Sequence, residues 1–365
     1  MLFYITLVFI FTFLLHHSIS MFDKNNKISV TLSCFYVLIF ALIGGLRNLD
    51  VGTDLQGYGS LYFYWADVSK PFFKYLSESD SKEFGWFALI YLCKSITTEI
   101  HFYLFVQEFI KMSLIIATAY YFRHRIKPYI FIFSYFCFFA FYGFSMMRQT
   151  LALTLCIYSL TYLDAKRYVM FAVMVLLGYS CHNSAILFAI TPAIYFFAQK
   201  NIKTWIIIVV CVLSYSFLIP IMIYIESTGL LNEGKATGYM DTGVVSAKTN
   251  MLLAIYVIIC GFILKRMKII KDQRTYINII LYNSILTLFM LMLSSYIEVA
   301  FRVSYYFWIV IMILFPIIIQ KRKDKMLTMM SIGYLLLFML HLYISCTHDL
   351  GGTIPYKSLI WDALI

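Results

Sequence analysis

Charge is what this sequence has least of. Asp, Glu, Lys and Arg make up 13% of its 365 residues, against about a quarter in soluble domains. Beside 62% hydrophobic and 19% aromatic residues, that deficit excludes an ordinary soluble globule and predicts an all-α, polytopic integral membrane protein. Also missing are a glycine-rich phosphate loop and any cluster of His and Cys at ligand spacing, so nucleotide and metal chemistry have no support here. The eight cysteines mostly fall singly inside apolar runs, without disulfide or zinc spacing, and read as small hydrophobes. No cofactor is expected. No polar stretch leaves room for a separate soluble domain, so 1–365 reads as one membrane domain. The first apolar run lacks a basic leader and a small-residue cleavage site and is read as a retained span.

Spans need about 17–25 apolar residues, and short loops rich in Lys and Arg face the cytoplasm. Apolar runs fall at 2–20, 29–46, 101–122, 128–146, 149–163, 168–181, 183–198, 204–225, 249–264, 275–297, 302–320 and 326–345. Every second link is basic, including Arg123-His-Arg125-Ile-Lys127, Lys166-Arg167 and Lys321-Arg322-Lys323. The net charge of +11 is therefore assigned to cytoplasmic loops, and no nucleic-acid partner is expected. Twelve spans with both termini outside satisfy the pattern, provided the short run 84–98, interrupted by Lys94, does not cross. That run is read as a re-entrant or interfacial helix inside an extracytoplasmic segment 47–100. A second extracytoplasmic loop is expected at 226–248.

Six of the nine arginines lie in the basic links, where topology alone accounts for them. Arg47, Arg148 and Arg302 lie on the opposite side, where the topology signal disfavours them. A guanidinium keeps its charge at physiological pH and presents a planar fork of donors, which suits bidentate binding of phosphate oxygens. A shared anion site is the expectation for these three. The competing reading is private pairing, as between Glu298 and Arg302 one turn apart.

The same side collects Gly52-Thr53-Asp54 with Tyr58 four residues on, Glu83-Phe84-Gly85, Gln149 beside Arg148, Cys181-His182-Asn183-Ser184, and Tyr356 after Pro355. A lone histidine at a helix end is commonly a satisfied polar contact; its company with the three odd arginines makes His182 a candidate base. Glu108 and Lys111, three apart within one apolar run, are expected to form a buried structural ion pair.

The ordered set Arg47…Gly52-Thr53-Asp54…Tyr58, Glu83-x-Gly85, Ser145-x-x-Arg148-Gln149-x-Leu-Ala, His182-x-Ser184 and Arg302 before Tyr-Tyr-Phe resembles the EpsG branch of Wzy-type polysaccharide polymerases. Together these motifs span about 47 to 320. One departure stands out: the family shows Glu-Pro-Gly where this chain has Glu83-Phe84-Gly85. The resemblance implies a GT-C-like glycosyltransferase of the bacterial cytoplasmic membrane. Such an enzyme polymerises oligosaccharide repeat units carried on undecaprenyl diphosphate, on the outer side, into O-antigen, capsule or exopolysaccharide. Its partners are the lipid-linked donor and acceptor, membrane lipid and a chain-length regulator. On that reading Arg148, then Arg302 and Arg47, hold the diphosphate, and His182 or Asp54 serves the acceptor hydroxyl. Glu83 has a further catalytic part, and Gln149, Tyr58 and Tyr356 make other substrate contacts. A flippase for the same lipid-linked sugar, or a membrane O-acyltransferase using His182, would place the charges differently: through the spans for the first, toward the cytoplasm for the second.

Overall fold

The computed structural model describes residues 1–79, 83–227, 240–267, 273–294, 298–320, 324–349 and 351–359. All its regular elements are helical, and no strand occurs among the described residues. Among the described residues seven helices are long and apolar enough to cross a membrane: Leu2–Ser20, Asn26–Gly45, Ile100–Phe122, Ala247–Arg266, Arg274–Leu293, Ala300–Ile319 and Lys325–Thr347. Five more apolar helices are shorter, among them Phe84–Ile96 and Tyr168–Cys181. The loop expected at 226–248 and the basic link 321–323 lie partly or wholly outside the described residues.

The helices group into two compact units, Met1–Ala189 with Ser345–Ile365, and Ile190–Ile344. The first holds α1 (Leu2–Ser20), α2 (Asn26–Gly45), the short α3 (Ser60–Trp65) and α4 (Phe72–Glu78), and α5 (Phe84–Ile96). It continues with α6 (Ile100–Phe122), α7 (Pro128–Tyr135), α8 (Met147–Asp164) and α9 (Tyr168–Cys181). Here α8 packs on both α6 and α9, α2 lies along α6, and α5 touches α6 and α9.

Sequence accounts for several of these boundaries. The Asn25 side chain accepts Ile28 N–H at 3.1 Å and caps α2. Pro128 opens α7, where its missing N–H costs nothing. The run 128–146, expected as one span, divides: α7 gives way to a π-helical turn at Phe136–Ala140 and a 3₁₀ turn at Tyr142–Phe144 before α8 begins. α8 is rich in hydroxyls, yet Thr150, Thr154, Ser159 and Thr161 each bond a carbonyl three or four residues earlier at 2.7–2.8 Å. That lets a polar sequence sit inside an apolar bundle. Ser18, Ser29, Ser33 and Tyr120 join α1, α2 and α6 through hydroxyl bonds of 2.5–2.8 Å.

The chain 351–359 folds onto the segment that follows α2. Asn48 N–H donates to Lys357 O and Leu359 N–H to Leu46 O, both at 3.0 Å, around an antiparallel bridge between Arg47 and Ser358.

The second unit holds α10 (Thr191–Gln199), α11 (Thr204–Ser227), α12 (Met240–Arg266), α13 (Arg274–Leu293), α14 (Glu298–Gln320) and most of α15 (Lys325–Thr347). α13 is its hub, packed by α10, α11, α12 and α14. Asn278 Nδ2 donates to Asn201 Oδ1 at 2.9 Å and Tyr256 to Met330 O at 2.8 Å, polar ties of the kind that substitute for a hydrophobic driving force between helices in lipid.

Candidate active site

Two of the motifs interlock in the first unit. Gly52 has φ +108°, and a Cβ there would stand 2.6 Å from Phe144 O, so only glycine fits the turn. Gly52 N–H donates to Gly352 O at 2.8 Å and Thr53 N–H to Gly351 O at 3.0 Å, while Thr53 Oγ1 meets Ser145 Oγ at 2.7 Å. After Asp54 the backbone widens into a π turn, Leu55–Gly59, closed by Ser60 N–H on Leu55 O. Such turns are rare and recur at functional sites. Within it the Tyr58 hydroxyl donates to Asp54 Oδ2, and the Tyr58 ring lies under Arg148, the guanidinium carbon 4.4 Å from its centroid. Burial, with Asp54 adding to it, raises the Tyr58 hydroxyl well above 10, so it remains a donor.

Arg148 lies in the first turn of α8 and reaches across to Glu83, the residue before α5. The two oxygens of Glu83 are divided between partners. Oε2 accepts Arg148 Nη1 at 2.6 Å; Oε1 lies 2.8 Å from His182 Nδ1 and accepts Asn183 N–H at 3.2 Å. Burial by itself would raise the Glu83 carboxyl. The His182 bond, the charges of Arg148 and His182 and the Asn183 N–H outweigh it, and the group is held below its ordinary 4.5. His182 follows α9 with extended backbone, φ −156° and ψ 123°. A carboxylate only accepts, so Nδ1 of a neutral His182 carries the hydrogen and Nε2 keeps the lone pair. Among the described residues Arg148 Nε has no hydrogen-bond partner, although it is enclosed.

This meeting depends on Gly85. A Cβ there would stand 2.9 Å from Ser180 Cβ and closer still to the Ser180 hydroxyl, so glycine is what lets the start of α5 lie against the end of α9. Phe84, the departure from Glu-Pro-Gly, is the first residue of α5 and is 54% exposed. A proline is tolerated at that helix position too; the side chain there touches none of the bonds just described.

Asp54, Tyr58, Glu83, Arg148 and His182 thus form one chain of contacts. Arg47 lies outside that chain of contacts. It is fully enclosed at 0% exposure, bonded to Gly44 O and Phe144 O, stacked on Phe144 at 4.8 Å and 3.7 Å from Glu108 Oε1. Lys111 Nζ completes the group, 2.6 Å from Glu108 Oε1 and 3.2 Å from Gly143 O. The spacing of Glu108 and Lys111 foretold their pair, but nothing in the sequence signalled that Arg47, 61 positions from Glu108, would join it. Arg47 therefore anchors the 143–144 turn that leads into α8.

Tyr356 is likewise tied to the framework: its hydroxyl donates to Ile43 O at 2.5 Å and its ring stacks on Phe3 at 4.5 Å. Gln149 is buried, 3% exposed, on α8. Arg302 is half-buried on α14, in the second unit. Among the described residues no group of three or more His, Cys, Asp or Glu side chains is placed to hold a metal.

The model of the EpsG family matches residues 30–358 of this chain. No curated protein and no solved structure matches it significantly.

Proposed function

The chain belongs to the EpsG family, and on that premise we propose that it is a glycosyltransferase that polymerises oligosaccharide repeat units linked to undecaprenyl diphosphate. The reading places twelve crossings and a GT-C-like architecture in the bacterial cytoplasmic membrane, with the site on its outer side. α5, at 13 residues, is about 20 Å long against a hydrocarbon layer of about 30 Å, which suits an interfacial or re-entrant helix.

The observation that carries the reading is the single carboxylate of Glu83 joined at once to Arg148 and His182. In transfer from a polyprenyl diphosphate, the acceptor hydroxyl oxygen bonds to the anomeric carbon, the bond from that carbon to the diphosphate breaks, and its electron pair leaves with the diphosphate. His182 Nε2 takes the hydroxyl proton while Glu83 holds the ring by Nδ1. The Arg148 fork stabilises the departing charge. Asp54, occupied by the Tyr58 hydroxyl, is the weaker candidate for the base; with Tyr58 it supports Arg148 from behind.

Deleting the gene and sizing the surface glycan tests the function. Loss of the long-chain ladder, with single repeat units left on lipid outside, is the expected result. Units trapped facing the cytoplasm would replace it with a flippase.

A further inference from the structure

The proposed reaction gives the diphosphate to Arg148 and the acceptor proton to His182, and the geometry ties both groups to one anion. Glu83 Oε2 is 2.6 Å from Arg148 Nη1 and Oε1 is 2.8 Å from His182 Nδ1. The Glu83, Arg148 and His182 side chains are 7%, 24% and 17% exposed, so water screens the three poorly and each responds to the charge of the others.

We propose that Glu83 couples donor binding to base strength. A diphosphate that draws the Arg148 guanidinium to itself releases Oε2, and the carboxylate, no longer shared, strengthens its hold on His182 Nδ1–H and makes Nε2 a better proton acceptor. The inference rests on the donor reading above and deepens it.

Three features make the exchange mechanically simple. Arg148 has an unused donor, Nε, and its guanidinium carbon sits 4.4 Å from the Tyr58 ring centroid, over a surface along which a guanidinium slides without losing its cation–π contact. Tyr58 itself stays in place through Asp54. Glu83 keeps the Asn183 N–H, 3.2 Å from Oε1, when Arg148 departs.

The charges around His182 then decide the outcome. α5 brings Glu83 to it, α8 brings Arg148 through Glu83, and its own helix adds the neighbouring Cys181 thiol and the phenol of Tyr179 three residues back. Asp54 and Tyr58 lie beyond Arg148. With Arg148 paired to Glu83 the two charges cancel. With Arg148 paired to diphosphate, the carboxylate is left for a proton on His182 to compensate, and that proton is the one the acceptor hydroxyl gives up. Glu83 is in this sense a positioning residue that acts through His182, and the base gains strength only when a leaving group is in place.

The test uses the full chain in detergent with ¹³C-labelled histidine. The His182 signal, among seven histidines, is identified by its loss in His182→Gln. The probe is farnesyl diphosphate, a short polyprenyl diphosphate whose own ³¹P signal reports binding. Saturating probe is expected to raise the His182 titration midpoint by ~1 pH unit or more, the size of shift an opposite charge at contact distance produces. Glu83→Gln should bind the probe and show no rise, and Arg148→Ala should show a raised midpoint before any probe is added. A bound probe with an unmoved wild-type midpoint overturns the coupling alone. So does an equal rise in Glu83→Gln, which would mean that the phosphate charge acts on His182 directly. If Glu83→Gln does not fold, Arg148→Ala decides: a midpoint equal to wild type overturns the proposal. Absence of any probe binding removes the donor reading and the coupling with it.

Discussion

Gly85 and Ser180 meet where no side chain fits between their backbones: a Cβ at position 85 would stand 3.1 Å from the Ser180 carbonyl carbon. Because Glu83 and His182 flank that contact in sequence, the two residues of the site are registered by a glycine. Gly85→Ala is expected to push α5 from α9 at a cost of about 1–3 kcal/mol and to part Glu83 from His182. Polymer should fall at least ~10-fold in a variant that still inserts, a consequence of misplacement by an ångström. Glycan sizing beside membrane abundance checks it; wild-type chain length would mean the contact is dispensable.

Arg148→Lys keeps a positive charge and loses the fork. Long-chain polymer should drop by ~10²-fold or more, in line with the loss of a transition-state donor. Normal chain length in a well-expressed variant would remove Arg148 from the chemistry.

His182→Ala and Asp54→Asn separate the two candidate bases. Removing the proton acceptor should cost ~10²–10⁴-fold. We expect that loss for His182→Ala and a smaller one for Asp54→Asn, whose amide oxygen still accepts the Tyr58 hydroxyl. The reverse order, read in the same polymer assay, would transfer the role to Asp54.

pH reports on Glu83. Its carboxyl is held below the ordinary 4.5, so the folded state favours the ionised form. The stability this gives is complete above about pH 4.5 and is lost as pH falls through the lower, folded value. The melting temperature of wild type should exceed that of Glu83→Gln by a constant margin at neutral pH, and the margin should close on acidification below 4.5. A margin that closes on raising the pH toward neutrality would contradict this sign.

Glu108→Gln leaves Arg47 and Lys111 as enclosed cations without their counter-ion. Breaking such a buried group costs about 3–5 kcal/mol. Folded yield should fall steeply, while probe binding by the folded fraction stays close to wild type because none of the three touches Glu83, Arg148 or His182. A selective loss of diphosphate binding at full folded yield would restore Arg47 to the anion site.

Much of the site was legible because its residue types are out of place in an oily chain. Asp54, Tyr58, Glu83, Arg148 and His182 each stood out by chemistry on the side expected to be poor in charge. Gly52 and Gly85 were visible as motif members, though a motif does not say which contact a glycine permits. Arg47 stood out for the same reason as Arg148 and lies beside Glu108; a sequence marks an unusual charge without naming its partner. The chain 351–359 also escaped prediction: its backbone bonds to residues 46–53 are made by main-chain groups that every residue carries.

The amino-acid sequence by itself determined that this is a multi-helix membrane-type chain of the EpsG family, because scarcity of charge, apolar run length and ordered motifs are local properties. Tertiary structure alone decided which ions share a partner. Glu83 and His182 are 99 positions apart, Arg148 and Glu83 65, and at such separations only the packing of α5, α8 and α9 brings a carboxylate, a guanidinium and an imidazole within hydrogen-bond reach.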